Sequence, residues 1–306
     1  MSVVGFVGLG NMGRPMARNL RRADFEVVVF DVDTDVSAAF ADEFGGTVAV
    51  GPADFAPAEI VVTMLPDGKV VADAILEADG GIASGLVAGA VVVDMSSSNP
   101  LDTRKLGDAL AERGIGLVDA PVSGGIAGAD SGELTLMVGG DDAAAIERVR
   151  PVLEVLGGRI VLTGPLGSGH AMKALNNFCG AASYAATAEA LAIGQRFGLS
   201  AEVMLAVLNT STGRSFNTEV VFAHEVVTGR YGTNFALPLL AKDVGIAASL
   251  AESSGLETPV VGLVAQRWAQ ARDALGPARD HSEAHKAWWD VVLTSPAAAG
   301  SAADGG

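Results

Sequence analysis

The chain has 306 residues, 49% of them hydrophobic, enough to fill one large or two ordinary cores. Its formal net charge of −16 argues against a nucleic-acid surface, which needs clustered Lys and Arg. A single cysteine, Cys179, leaves no intrachain disulfide and fits a reducing compartment. The lack of a long apolar run or a basic leader sets the expectation of a cytoplasmic protein with no membrane partner.

In chain order, Val3–Val7 is a short apolar run, followed by Gly8-Leu9-Gly10-Asn11-Met12-Gly13 and a helical pattern to Arg22. Glu26 to Phe30 forms a second run, closed by Asp31. The pattern reads as strand, glycine turn, helix, strand and terminal carboxylate. Gly8 permits the turn, Gly10 lets backbone approach a pyrophosphate, and Gly13 lets the helix lie close to the strand. The helix N-terminus then presents free N–H groups and a positive dipole end. Asp31 lies 31 − 13 = 18 residues past the last glycine, near the spacing at which an acid meets the adenosine ribose. A carboxylate there repels a 2′-phosphate, so the expected cofactor is NAD rather than NADP. The competing reading is a βαβ unit that kept its turn and lost its ligand; the strand before and the acid after weigh against it.

Further strands are expected at Ile60–Met64, Val91–Asp94, Gly116–Asp119, Leu134–Val138 and Arg159–Leu162, with helical stretches between most of them. That alternation predicts a doubly wound, mainly parallel α/β sheet over residues 1–163. After Gly164-Pro165-Leu166-Gly167 the period becomes helical. A long Ala-rich helix is expected over Ser168–Phe197, then helices near Ala201–Leu208, Leu237–Ser253 and Thr258–Ala274. Residues 164–294 therefore read as an all-α domain joined through a long interdomain helix, and 295–306 as a disordered small-residue tail. Cys179, in an apolar helical pattern, reads as core filler. His281 and His285, four apart near the tail, read as a solvated helix face, and the four histidines form no metal-ligand cluster.

Three segments carry further chemistry. Asp119-Ala120-Pro121-Val122-Ser123-Gly124-Gly125 follows a strand and offers one hydroxyl with consecutive unobstructed N–H groups, a nest able to hold a carboxylate. Gly167-Ser168-Gly169-His170-Ala171-Met172-Lys173 leads to Asn177, which shares a helical face with Lys173 four residues earlier. A lysine can pass a proton to a carbonyl oxygen and an amide can orient that oxygen. Lys242-Asp243 places two charges about 100° apart on an apolar helix, so they are expected to serve different neighbours.

Taken together these motifs resemble the β-hydroxyacid dehydrogenase family, which includes 3-hydroxyisobutyrate dehydrogenase and tartronate semialdehyde reductase. The likeness runs from the N-terminus to about Ala274. It implies a Rossmann domain, an all-α substrate and dimerisation domain, and assembly as a homodimer or homotetramer. It also implies Lys173 as the catalytic acid/base, Ser123, Gly124 and Gly125 as substrate anchors, and Asn177 as the oxygen-orienting amide. Leu65-Pro66, Ser97 and Lys242 fall where the family meets its cofactor, beside Gly8, Gly10, Asn11, Met12, Gly13 and Asp31. Phe216 stands in a substrate loop where several relatives carry tryptophan. The expected activity is reversible oxidation of a small 3-hydroxy acid, a carboxylate, to its 3-oxo acid or semialdehyde. An imine reductase-like enzyme and a non-catalytic dinucleotide sensor are the alternatives, and Lys173 beside Asn177 disfavours both.

Overall fold

The computed structural model describes residues 2–77, 81–289 and 293–294, so the tail expected at 295–306 lies outside the described residues. Two compact units divide between Lys173 and Ala174.

The first unit contains β1 (Val3–Val7), α1 (Gly13–Arg22), β2 (Glu26–Phe30), α2 (Thr34–Phe44), β3 (Thr47–Val48), β4 (Ile60–Thr63) and α3 (Gly68–Leu76). It continues through β5 (Val91–Asp94), α4 (Pro100–Ala111), β6 (Gly116–Asp119), β7 (Val122–Ser123), α5 (Gly125–Ser131), β8 (Thr135–Gly139), α6 (Ala143–Leu156) and β9 (Arg159–Gly164). Sheet order is β3-β2-β1-β4-β5-β6-β8-β7, with β9 on β8. Strands β1 to β6 are mutually parallel, as the alternation of strand and helix requires. The departures are β8 and β9, which run together against the rest: β8 pairs antiparallel with both β6 and β7 and parallel with β9. Between β6 and β8 lie the short strand β7, which folds back onto β8 as an antiparallel partner, and the seven-residue helix α5.

The strands are apolar throughout because both sheet faces are covered. Period-two alternation sorts their side chains. Val4, Phe6, Val27, Val29, Ile60, Val62, Val91 and Val93 share a core with Met16 and Leu20 of α1 and Val149 and Leu153 of α6. Val7, Val28, Val61 and Val92 face the other way, onto Val71 and Ile75 of α3 and Leu106 and Leu110 of α4. Between β1 and β4 the winding changes sides, which opens the carboxyl ends of these strands to a ligand.

Helix α7 runs Ser168–Phe197, as its unbroken Ala-rich pattern predicts. Beyond Lys173 it belongs to the second unit, with α8 (Ala201–Leu208), a π-helical stretch (Asn217–Val226), α9 (Leu237–Ser254), α10 (Pro259–Leu275) and a 3-10 stretch (His281–Ala287). Ser200 caps α8, Pro259 opens α10, and Gly255 closes α9 in the left-handed region at φ +68°. The core is built on Tyr184, whose ring lies 4.7 Å from that of Phe222 and 5.3 Å from that of Trp268.

Two expectations fail here. His281 and His285 are buried, not solvated: their 3-10 stretch packs onto Tyr184 and Trp268, and spacing alone cannot reveal such a partner. Cys179 is exposed, not core filler, because the buried face of α7 follows Ala181, Tyr184, Ala188 and Leu191.

Candidate active site

The glycine turn after β1 is built as its sequence requires. Gly8 has φ +96°, and a Cβ there would lie 2.9 Å from Leu65 Cδ2 and closer still to the Met64 carbonyl. A Cβ on Gly13 would collide with the Gly8 carbonyl, so α1 sits against the strand end. Gly10 differs: nothing lies within 4 Å of where its Cβ would be, leaving the backbone open to an approaching group. Asn11 is exposed and Met12 half-buried at the start of α1. Asp31 stands at the end of β2, where its Oδ2 accepts the Leu9 N–H at 2.7 Å and its Oδ1 the Asp33 N–H at 3.0 Å. Ionised, it retains capacity for further donors. Asp33 and Asp35 follow, and no cation occurs between Asp31 and Ala41.

Helix caps separate the candidate anion sites from ordinary helix starts. Asp33 caps α2, Asp67 caps α3, Asn99 caps α4 and Asp142 caps α6, each through its side chain. Helices α1 and α5 have no side-chain cap. These are the two helices at which the sequence places a pyrophosphate and a carboxylate. At α5, Ser123 precedes Gly124 at φ +135° and Gly125 at φ +62°, both exposed, with nothing within 4 Å of a Cβ on Gly125.

A buried polar network lies at the ends of β4, β5 and β6. Asp94 accepts from Thr63 Oγ1 at 2.9 Å, Ser96 N–H at 3.0 Å and Ser98 Oγ at 2.7 Å. Ser96 Oγ in turn accepts the Leu65 N–H at 3.0 Å, so the Leu65-Pro66 and Ser96–Ser98 loops are tied together. Asp119 accepts the Gly167 N–H at 2.7 Å and the His170 N–H at 2.8 Å, capping α7 from the sheet. The glycines here are steric necessities: a Cβ on Gly169 would come within 2.8 Å of Asp119 Oδ2, and one on Gly139 within 2.7 Å of Ser168 Oγ. Lys173 stands one turn beyond, half-buried, in the same unit as the glycine turn, Leu65, Pro66, Ser97 and Ser123.

In the second unit, the structure brings Asn177, Asp243 and Lys242 together. Asn177 Nδ2 donates to the buried Asp243 Oδ2 at 2.6 Å, and Lys242 Nζ lies 3.2 Å from Asp243 Oδ1. Lys242 and Asp243 therefore do not serve wholly separate neighbours; the long lysine stem spans the 100° between them. Phe216 is 70% exposed, and the adjacent Asn217 donates from Nδ2 to the Gly180 carbonyl at 2.8 Å. Sequence reasoning missed Asp94, Thr103 and His170 as site-building residues, and singled out Asp243 without its partner Asn177. The available signal was an acid closing a wholly apolar strand, Val91-Val92-Val93-Asp94, followed by three serines. Among the described residues no group of three or more His, Cys, Asp and Glu could hold a metal, and no helix is long and apolar enough to cross a membrane.

A Rossmann sheet with an open glycine turn and a carboxylate closing the second strand is the arrangement of a dinucleotide-binding fold. The model for the NAD binding domain of 6-phosphogluconate dehydrogenase matches residues 3–164, and that for the NAD-binding domain of NADP-dependent 3-hydroxyisobutyrate dehydrogenase matches 167–288. The chain is 38% identical to the 2-(hydroxymethyl)glutarate dehydrogenase of Eubacterium barkeri, covering 95% of this chain and 96% of that one. It is 38% identical to the NAD-dependent L-serine dehydrogenase of Pseudomonas aeruginosa, covering 86% and 90%. Among solved structures, Mycobacterium tuberculosis 3-hydroxyisobutyrate dehydrogenase with L-serine superposes with a TM-score of 0.84 at 30% identity, covering 94% of this chain and 99% of that one. The chain belongs to the β-hydroxyacid dehydrogenase family and is an NAD-binding oxidoreductase of hydroxy acids.

Proposed function

We propose that the chain reversibly oxidises a small 3-hydroxy acid resembling 3-hydroxyisobutyrate to its 3-oxo acid or semialdehyde, with Lys173 as general acid/base. The observation that carries this reading is that, among the described α-helices from α1 to α6, α1 and α5 lack a side-chain cap, while Asp119 holds the start of the lysine helix. Gly8, Gly10, Asn11, Met12 and Gly13 would hold the pyrophosphate, Asp31 the adenosine ribose, and Leu65, Pro66, Ser97 and Lys242 the nicotinamide half. The aspartates from Asp31 to Asp35 disfavour a 2′-phosphate, so NAD is preferred to NADP. NAD, when bound, supplies the hydride acceptor.

Ser123, Gly124 and Gly125 hold the substrate carboxylate by hydroxyl and backbone N–H groups. Lys173 takes the hydroxyl proton on Nζ during oxidation and returns it to the carbonyl oxygen during reduction. Asn177, its amide fixed by Asp243, orients that oxygen, and Phe216 contributes to substrate choice. Met172, Leu175, Ile193 and Phe197 on α7, with Val203 and Val207 on α8, expose large apolar side chains that further copies of the chain would cover as a dimer or tetramer. A monomer by sedimentation at micromolar concentration would remove that assembly.

The test is NADH formation from 3-hydroxyisobutyrate, 3-hydroxypropionate, glycerate, serine and threonate, with NAD and NADP in parallel. Lys173→Ala is expected to lower kcat by about three powers of ten with NAD affinity within about twofold. A fully active Lys173→Ala protein would overturn the mechanism, and a higher kcat/KM with NADP the cofactor preference. Silence on every acid with NAD still bound would favour the sensor alternative.

A further inference from the structure

His170 has no part in the chemistry above, yet it is a fully enclosed titratable side chain beside it. It is 1% exposed and sits in the first turn of α7, three residues before Lys173. Its Nδ1 lies 2.8 Å from Thr103 Oγ1, and Thr103 Oγ1 is 3.0 Å from the Asn99 carbonyl. A hydroxyl has one proton, and the carbonyl can only accept it, so His170 Nδ1 is the donor to Thr103. The other nitrogen, Nε2, is buried with no hydrogen-bond partner and faces Asp94 Oδ2 at 3.6 Å. Asp119 Oδ2 stands 3.8 Å from Nδ1 while accepting the His170 backbone N–H. The imidazole thus lies between the carboxylates that close β5 and β6, with α4 bonded to its third side.

The same two carboxylates organise the rest of the site. Asp94 shapes the Ser96–Ser98 loop and, through Ser96, fixes Leu65; Asp119 fixes the entry to α7. Resting on the dehydrogenase reading above, we propose that His170 is a positioning residue for Lys173. Its ring and the Thr103 bond set how the first turn of α7 lies on the strand ends, and so where the lysine, one turn and about 4.5 Å of helix rise further on, stands relative to the Leu65 and Ser96–Ser98 loops. A buried polar group left without its partner is costly, so the ring holds one placement and the helix start shares it. Misplacement of a reacting group by about 1 Å suffices to lower turnover by up to about 100-fold.

The experiment compares His170→Leu, His170→Asn and Thr103→Val with native enzyme. The Asn amide nitrogen reproduces Nδ1 and not Nε2. His170→Leu is expected to lower kcat about 30-fold with KM and the NAD dissociation constant within about threefold, and His170→Asn to restore kcat to within about fivefold of native. Thr103→Val, which keeps the side-chain shape and removes the hydroxyl with both its bonds, should lower kcat about fivefold and add nothing to His170→Leu. A kcat within twofold of native in both His170→Leu and Thr103→Val overturns the proposal, as does a loss that His170→Asn fails to restore. The 13C resonance of dimethylated Lys173, and its response to NAD, reads the same placement without turnover. It is expected to move in His170→Leu and Thr103→Val and to return in His170→Asn; an unmoved resonance in all three overturns the inference. Inactivity of native enzyme on every hydroxy acid, with that resonance still displaced by His170→Leu, sinks the dehydrogenase reading and supports the positioning role.

Discussion

The molecule buries histidine in two places, and the same local bonding serves opposite ends. In the first unit His170 donates from Nδ1 to a threonine hydroxyl; in the second, His281 Nδ1 lies 2.9 Å from Thr233 Oγ1, whose proton goes to Asp280, and His285 Nδ1 lies 3.0 Å from the Tyr184 hydroxyl. What differs is the surroundings. His170 stands between two buried carboxylates at strand ends, in a network that reaches the Leu65 and Ser96–Ser98 loops. His281 and His285 are packed among Tyr184, Tyr231, Phe235 and Trp268. Burial pushes the His285 imidazole down to about 4, helped by the neighbouring Lys286, and lowers His281 in the same direction. The first cluster ties strand ends and loops together, and the second organises a core. Aromatic packing distinguishes them, not burial or a nearby carboxylate, since Asp280 lies 3.7 Å from His281.

The largest expected effect belongs to the first cluster. Asp119→Ala removes both acceptors that cap α7 and leaves the Gly167 and His170 N–H groups buried without partners. Charge-assisted bonds of this kind contribute about 1.5–3 kcal/mol each, so a stability loss of about 3–5 kcal/mol is expected in denaturant titration, with turnover falling beyond what the unfolded fraction explains. Turnover per folded molecule equal to native would erase the distinction between the two clusters.

The next effect belongs to the second cluster and is read by acid. Above pH 6.5 His285 is neutral in both the folded and unfolded chain and contributes nothing to the pH dependence. As pH falls from 6.5 toward 4 the unfolded chain binds a proton that the folded one refuses, so stability drops; below about 4 both are protonated and the loss stops. The full loss is about 3 kcal/mol. His285→Asn should flatten this limb of a stability profile between pH 6.5 and 4.5, and an undiminished slope would assign it elsewhere.

Much of this was legible in the sequence, for physical reasons. The first unit's parallel strands and the α7 boundaries follow from period and composition, and the glycine turn from a steric need that no other residue meets. Asp31 could be placed at the end of β2 because its spacing is fixed by one helix and one strand. The buried network could not: Asp94, Thr103, Asp119 and His170 come from four segments, and only the sheet order brings β5 beside β6. Their residue types, taken singly, are those of caps and turns. The aromatic enclosure of His281 and His285 was hidden for the same reason, since their partners lie about 100 residues earlier on α7.

The smallest effect tests that enclosure most cleanly. The Tyr184 hydroxyl is fully buried, donates to the Ser282 carbonyl at 2.7 Å and accepts from His285 Nδ1 at 3.0 Å. Burial raises the phenol well above its ordinary range, so it remains a neutral donor throughout the working pH. Tyr184→Phe keeps the ring contacts with Phe222 and Trp268 and deletes only the oxygen. His285 Nδ1 also lies 3.2 Å from the Ser282 carbonyl, so the imidazole retains an acceptor and the carbonyl a donor. The expected loss is therefore about 1 kcal/mol, at the lower end for a buried hydrogen bond, with kcat and KM unchanged. Because the ring stays buried beside an apolar face, the acid limb of the stability profile should persist in Tyr184→Phe. If kcat instead fell tenfold while stability held, the aromatic enclosure would belong to the catalytic machinery, and the division between a cluster that positions and one that packs would fail.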